Sequence, residues 1–236
     1  MLCRCIDGYS RKIIWLKASY TNHKPELIAS YFLKSVGDIG GFPKHVRTDC
    51  GTENVTVAAI QASVFGDVSA HRYGTSPGNQ RIEAWWSFFR RNRSQFWLEV
   101  FAELNESGAF HPENHKEVEC LRYCFMAVIQ SDLDEIRRHW NTHRIRPSVG
   151  SRCPAGILDV LFYLPHPPAV DCAFRSDVQL PDHLLQQLEE PRACEDSNIA
   201  EYLQYLQNYY HTSAPHDTDS AMQLYFRLIP HLAGIN

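Results

Sequence analysis

The sequence predicts an α/β protein: a mixed sheet with flanking helices, followed by an α-helical C-terminal extension. Three observations carry this reading. Short apolar runs of strand length alternate with stretches of helical period through the first hundred residues. Beyond about residue 113 the strand signal fades and amphipathic helical runs take over. The 236 residues are 44% hydrophobic and 12% aromatic, which is enough apolar material for a sizeable core.

The elements follow in order. "LCRCID" and "KIIWLKA" are strand candidates joined by the tight turn "GYSR". "KPELIASYFLKSVGDIGG" has apolar residues at helical spacing, with Pro25 at its start and glycines at its end. "KHVRT" is a short strand leading into the turn "DCGTEN", and "VTVAAIQASVF" is a second helix. "SAHRYG" is another short strand. The loop "TSPGN" then opens a long predicted helix, "QRIEAWWSFFRRNRSQFWLEVFAEL". A helix is expected from about Glu113 to Trp140, ending at the Arg- and Pro-rich "NTHRIRPSVGSRCPAGIL". After "LPHPPAVD", helices are expected at "SNIAEYLQYLQNYYH" and near "DSAMQLYFRLI". No internal repeat or low-complexity tract occurs.

Composition excludes several classes. No apolar run is long enough to span a bilayer, and "MLCRCIDGYS" has neither the apolar core nor the cleavage site of a signal peptide. The expectation is an intracellular protein without membrane partners, with the nucleus as a candidate compartment. The 8 cysteines include no C-x-x-C pair, and the 12 histidines add no zinc-finger spacing, so no zinc site is predicted. Cys120 and Cys124, one helical turn apart, read as core residues and reduced thiols. Cys50 has no assignable histidine and acid partners and is not read as a nucleophile. The net charge of −4 is unevenly spread. Residues 1–152 carry 20 Lys and Arg against 16 Asp and Glu, and residues 153–236 carry 3 against 11. A mildly basic body with an acidic tail is weak support for nucleic-acid binding and is equally ordinary surface variation.

Three carboxylates stand out in order: Asp7 in "CIDGYSRKIIWLKAS", Asp49 in "VRTDCGTEN" and Glu83 in "GNQRIEAWW". Enzymes that cut or join phosphodiesters with two metal ions need such groups. Hard Mg²⁺ ions take oxygen ligands, and a pair of ions about 4 Å apart clamps the attacking and leaving oxygens. Taken singly, each has an ordinary explanation. Asp before Gly suits a turn, and Glu in the first turn of a helix complements the macrodipole.

The order of motifs is more specific. "VRTDCGTEN", then "YGTSPGNQRIEAWWSFFRR", resembles the catalytic core of retroviral and retrotransposon integrases. In that family the second acid ends a strand in a similar context, and the third follows a Ser/Pro/Asn loop at the start of a long helix. Asp49 and Glu83 are 34 positions apart, close to the family's usual separation. "CIDGYSRKIIWL" and "WNTHRIRPSVGSRCPAGIL" match further segments, so the resemblance covers roughly residues 3–158. It implies a ribonuclease-H-like mixed sheet, two Mg²⁺ (or Mn²⁺) ions, DNA as partner and homo-oligomers. The expected organisation is an integrase-core-like domain over 1–158 and an acidic, partly helical tail over 159–236.

Element counting then separates Asp7 from the other two. The family's first strand carries the first acid, and two more strands and a helix precede the strand of the second acid. Only one strand and one helix lie between Asp7 and the strand ending at Asp49. "LCRCID" therefore fits the second strand, and the core is expected to lack its first strand and first acid. The predicted metal ligands and catalytic acids are Asp49 and Glu83. The alternative, in which Asp7 moves into the first position of a rearranged sheet, is the weaker one. With an incomplete triad this chain is expected to be inactive in strand transfer by itself.

Candidate DNA contacts are Asn79 and Gln80 before the glutamate, with Arg81, Arg90, Arg91 and Arg93 as a phosphate-binding face. Asn79 equally suits a helix N-cap, and the arginines equally suit a solvated helix face. Trp85, Trp86, Phe88, Phe89, Phe96 and Trp97 read as packing residues rather than base-stacking platforms. His139, His143, Arg144 and Arg146 form a small basic cluster. Two function classes follow: an integrase-type polynucleotidyl transferase descended from a transposable element, or a domesticated, non-catalytic module that binds nucleic acid or protein.

Overall fold

The structure is a computed structural model. It describes residues 1–74, 85, 89–147 (backbone only at 91 and 92), 154–167, 169–174, 186 and 188–232. The chain forms two compact units. One comprises residues 1–17, 21–82 and 134–191, the other residues 18–20, 83–133 and 192–236.

The elements in chain order begin with strands β1 (Leu2–Ile6) and β2 (Ile13–Ala18), helix α1 (Pro25–Ile39) and strands β3 (Phe42–Pro43) and β4 (Val46–Thr48). Next come α2 (Val55–Phe65) and β5 (His71–Tyr73). They are followed by α3 (Gln95–Glu106), α4 (His115–Thr142), β6 (Arg144–Ile145) and β7 (Gly156–Ile157). The last are α5 (Leu158–Tyr163), β8 (Ala173–Phe174), α6 (Ser197–Tyr209) and α7 (Thr218–Leu228). The structure is thus the mixed α/β arrangement expected, with small sheets. The described strands pair as four two-stranded ladders: β1 with β2, β3 with β8, β4 with β5, and β6 with β7.

In the first unit, α1 starts on Pro25, whose missing N–H would be unpartnered there anyway. The helix ends at the glycines expected from sequence, its last residue being Ile39. It stops where Gly40 takes a left-handed conformation (φ 79°) and donates its N–H to the Val36 carbonyl. Its face of Leu27, Ile28, Tyr31 and Phe32 packs with Phe42 and with Val57, Ile60 and Val64 of α2. Burying each large apolar side chain is worth about 1.5–3 kcal/mol. β4 and β5 pair in parallel, Val46 opposite His71 and Thr48 opposite Tyr73, with α2 as the crossover between them. The strand β2 is closed off by side chains from the end of α4. Asn141 accepts from the Ile13 N–H at 2.8 Å and donates to the Ile13 carbonyl at 3.0 Å. Trp140 donates to the Arg11 carbonyl at 3.2 Å. A side-chain amide thereby stands in for a neighbouring strand and leaves no open edge at Ile13.

In the second unit, α3, the first part of α4, α6 and α7 share one core. Cys120, Cys124, Phe125 and Val128 pack with Leu203, Leu206, Leu224, Tyr225 and Leu228. Asp196 caps α6 by accepting from the Asn198 and Ile199 N–H groups, and Asp217 forms a capping box with Ser220 at α7. The single long helix expected from Gln80 is interrupted among the described residues. A π-helical turn spans Arg90–Ser94 before α3 begins. The wider turn rephases the helix. Arg93 and Trp97 consequently both reach Asp132, at 2.6 and 2.9 Å.

Candidate functional site

β4 delivers Asp49 to the mouth of the β4–β5 ladder, where the backbone leaves the sheet. The ladder runs one step past the strands, because the Gly74 N–H donates to the Thr48 carbonyl at 2.8 Å. Gly74 lies against the Arg47 side chain. The Arg47 guanidinium occupies the space a Cβ there would need. At Gly51 the Glu53 carboxylate likewise folds against the loop, in space a Cβ would share.

Asp49 itself is exposed, but its carboxylate is held from below. Asn54, 8% exposed, donates its side-chain N–H to Asp49 Oδ1 at 2.9 Å. Asn54 occupies the N-cap position of α2, where a side chain of this type ordinarily accepts from the first helical N–H groups. It makes no such cap here. The helix start therefore forgoes about 1 kcal/mol of capping, and the amide fixes the carboxylate instead. Sequence reading missed Asn54 as a positioning group, although "DCGTEN" contains it five residues after the aspartate.

A second contact stiffens the same corner. Thr48 Oγ1 donates to the Asp49 carbonyl at 2.9 Å and lies 3.2 Å from His71 Nε2. The single hydroxyl hydrogen is already committed, so the hydroxyl accepts from His71 and the imidazole carries its proton on Nε2. Burial pushes the His71 pKa below its ordinary value of 6.5 and favours this neutral ring. His71 also packs edge-on against Tyr73 at 4.6 Å.

Asp7 is placed differently. Its Oδ2 accepts from the Tyr9 N–H (3.1 Å), the Ser10 N–H (2.6 Å) and the Ser10 hydroxyl (2.7 Å). Ser10 is fully buried. The Asp7 N–H donates to the Lys12 carbonyl at 2.8 Å, and Arg11 completes the turn with φ 66°. Asp7 is the clamp of the β1–β2 connection. Beside it, burial raises the Cys5 thiol to about 12, so that side chain is an inert neutral thiol.

Glu83, Asn79, Gln80 and Arg81 lie outside the described residues. Arg90 is exposed on the π-helical turn, and only the backbone of Arg91 is described. Arg93, its side chain about half exposed, pairs through Nε with Asp132 at 2.6 Å. Trp85 and Phe89 are buried and stacked at 5.2 Å, as packing residues should be. Arg144 and Arg146 are exposed, as is His139.

Among the described residues, no three His, Cys, Asp or Glu side chains gather into a group that could hold a metal ion. Asp49 supplies one oxygen donor of the chemistry a hard divalent ion prefers. No helix among the described residues is long and apolar enough to cross a membrane. A family model described as "Integrase core domain" matches residues 1–159. No curated protein matches, and no solved structure matches.

Proposed function

The chain belongs to the integrase core family, and on that premise we propose that it is a DNA-binding descendant of a transposable-element integrase whose metal-dependent centre is incomplete within these 236 residues. Asp49 and Glu83 are the carboxylates that would hold Mg²⁺ or Mn²⁺. Such ions supply charge neutralisation at the phosphodiester and at the attacking oxygen. Asn54 orients Asp49, and the Thr48–His71 pair holds the strand end that carries it. The ribonuclease-H-like sheet implied by the family gives these carboxylates rigid elements to stand on.

The observation that carries the reading is the contrast between the two aspartates. Asp49 is exposed and aimed by one buried amide, whereas three donors converge on Asp7 Oδ2 inside a turn. The Asp7 oxygen held that way is committed to the turn. The 236-residue chain is therefore expected to bind duplex DNA through basic groups such as Arg90, Arg144 and Arg146 while failing to join strands. The purified chain is incubated with labelled DNA ends and Mg²⁺ or Mn²⁺, with binding measured in parallel by anisotropy across a salt series. Binding that weakens with salt, with no joined product, supports the reading. Sustained metal-dependent joining by the chain would overturn the reading, and joining abolished by Asp7→Asn but not by Asp49→Asn would overturn the assignment of the acids as well.

A further inference from the structure

One surface feature of the second unit has no place in the centre around Asp49. On α6, Tyr202, Tyr205 and Tyr209 recur at intervals of three and four residues, so their rings climb one face of the helix. The rings stack in sequence: Tyr202 to Tyr205 at 6.4 Å with planes 21° apart, then Tyr205 to Tyr209 at 6.3 Å with planes 26° apart. Tyr205 is 60% exposed and Tyr209 64% exposed. Tyr202 is half-buried and packs against the core of the unit, so the part of the ladder turned to solvent is Tyr205 and Tyr209, beside the buried stripe of Ile199, Leu203 and Leu206. Apolar faces left in water at this density mark an interaction surface.

The charge around it selects the partner. The second unit carries 7 Lys and Arg against 13 Asp and Glu, a net −6, whereas the first carries 16 against 14. Glu201 lies one turn before Tyr205 on the same face. The unit also shows what its tyrosines do with guanidinium groups. Arg227 lies over the Tyr210 ring at 6.0 Å, at the top of the ladder, and Arg192 lies over the Tyr20 ring at 5.3 Å. A tyrosine face takes a planar, weakly hydrated guanidinium better than a compact ammonium. A nucleic acid could also stack on such rings, but its phosphates would meet an acidic unit.

We propose that the α6 tyrosine ladder is a docking surface for an arginine-bearing, basic segment of a partner protein, which stacks its guanidinium groups on Tyr205 and Tyr209 beside Glu201. The test uses the full chain and a fluorescein-labelled peptide of Arg-Gly-Gly repeats, read by anisotropy. A Lys-Gly-Gly peptide and a single-stranded oligonucleotide serve as comparisons, and sedimentation measures self-association. The arginine peptide should bind several-fold more tightly than the lysine peptide. The double variant Tyr205→Ala/Tyr209→Ala should weaken it about tenfold, the effect of two exposed cation–π contacts. Tyr205→Phe/Tyr209→Phe should retain binding, because rings rather than hydroxyls make the surface. All these residues are exposed, so circular dichroism of the variants should match the parent. Arginine-peptide binding indifferent to the double alanine variant would overturn the proposal. So would ladder-dependent binding of the oligonucleotide in preference to the peptide, or self-association that the alanine variant abolishes.

Discussion

Glu119→Ala should unfasten the chain segment that leads into α6, and the structure sets the size of the effect. The Glu119 side chain is fully buried, and its carboxylate serves three donors. Oε1 accepts from Arg122 Nη1 at 2.5 Å, and Oε2 accepts from the Glu195 and Asp196 N–H groups at 2.8 and 3.0 Å. Removing one member of a buried ion pair usually costs about 3–5 kcal/mol, because the other charge is stranded. Arg122 is not stranded here. It is 23% exposed, and it keeps Glu195 at 3.5 Å and the Tyr20 carbonyl at 3.4 Å. The main loss is therefore two backbone N–H groups left without an acceptor, each worth about 1.5 kcal/mol with a charged partner. The expected cost is about 3 kcal/mol, or more than a hundredfold in the opening equilibrium of this segment. Amide hydrogen exchange reads that opening directly at Glu195 and Asp196, and at Asn198 and Ile199, which the adjacent Asp196 caps. Glu119→Gln keeps the volume and one acceptor oxygen, so it should lose less. Protection at Glu195 and Asp196 unchanged in Glu119→Ala, with urea stability within about 1 kcal/mol of the parent, would show that the buried carboxylate is not what fastens the tail.

Other substitutions probe the first unit. Asn141→Leu keeps the volume but leaves the Ile13 N–H and carbonyl unpartnered at a residue only 1% exposed. Thermal unfolding should show a loss of about 3 kcal/mol, and a loss below about 1 kcal/mol would refute the surrogate-strand role. Asp7→Ala should cost about 1–2 kcal/mol through the turn it clamps. Mn²⁺ binding, followed by electron paramagnetic resonance, should be unchanged; reduced Mn²⁺ binding in this variant would return Asp7 to the metal centre. His71 is held below its ordinary pKa of 6.5, so the folded form binds fewer protons than the unfolded form as pH falls past that value. The stability it contributes is present above pH 6.5 and is lost as pH falls towards the depressed folded pKa. Protection of the Gly74 amide, its exchange rate taken relative to the intrinsic rate at each pH, should fall over that window in the parent and not in His71→Gln.

Local signals explain what could be read from the residues alone. Pro25 and Gly40 bracket α1 because each fits a backbone position that other residues fit poorly. The apolar spacing of "SNIAEYLQYLQNYYH" and "DSAMQLYFRLI" gave the last two helices, since period 3.6 is a property of the helix itself. What those helices pack against carries no local signal. Leu203 and Leu224 meet Cys120 and Cys124 from some eighty to a hundred residues away, and no spacing in either segment announces the match. The π-helical turn at Arg90–Ser94 was hidden for a related reason. It answers to Asp132, a residue on another helix. Glu119 was equally hidden, because an acidic residue on an amphipathic run reads as surface until its donors on the Glu195–Asp196 backbone are known.

The two aspartates show why a motif needs its surroundings before it becomes a site. Both follow a short strand, and both precede a glycine, Asp7 directly and Asp49 after one residue. Local propensity treats them alike, as turn formers whose side chains accept from backbone N–H groups nearby. At Asp7 that tendency is fully realised: two N–H groups and a hydroxyl converge on one oxygen, and Ser10 is buried beneath it. At Asp49 the turn closes without the carboxylate. The Asn54 N–H donates to the Gly51 carbonyl, and the Asn54 side chain, not a turn amide, reaches Oδ1. A carboxylate that binds a cation must keep lone pairs directed outward while its position stays fixed. One buried amide donor meets both conditions, whereas the three convergent donors commit one of the two Asp7 oxygens to the turn. The difference arises from Asn54 giving up its cap, so Asn54→Ser, which can restore the cap, should hold the helix start while releasing Asp49. Unchanged fold stability with weakened Mn²⁺ binding is the expected result. Unchanged Mn²⁺ binding in that variant would mean that Asp49 needs no such support.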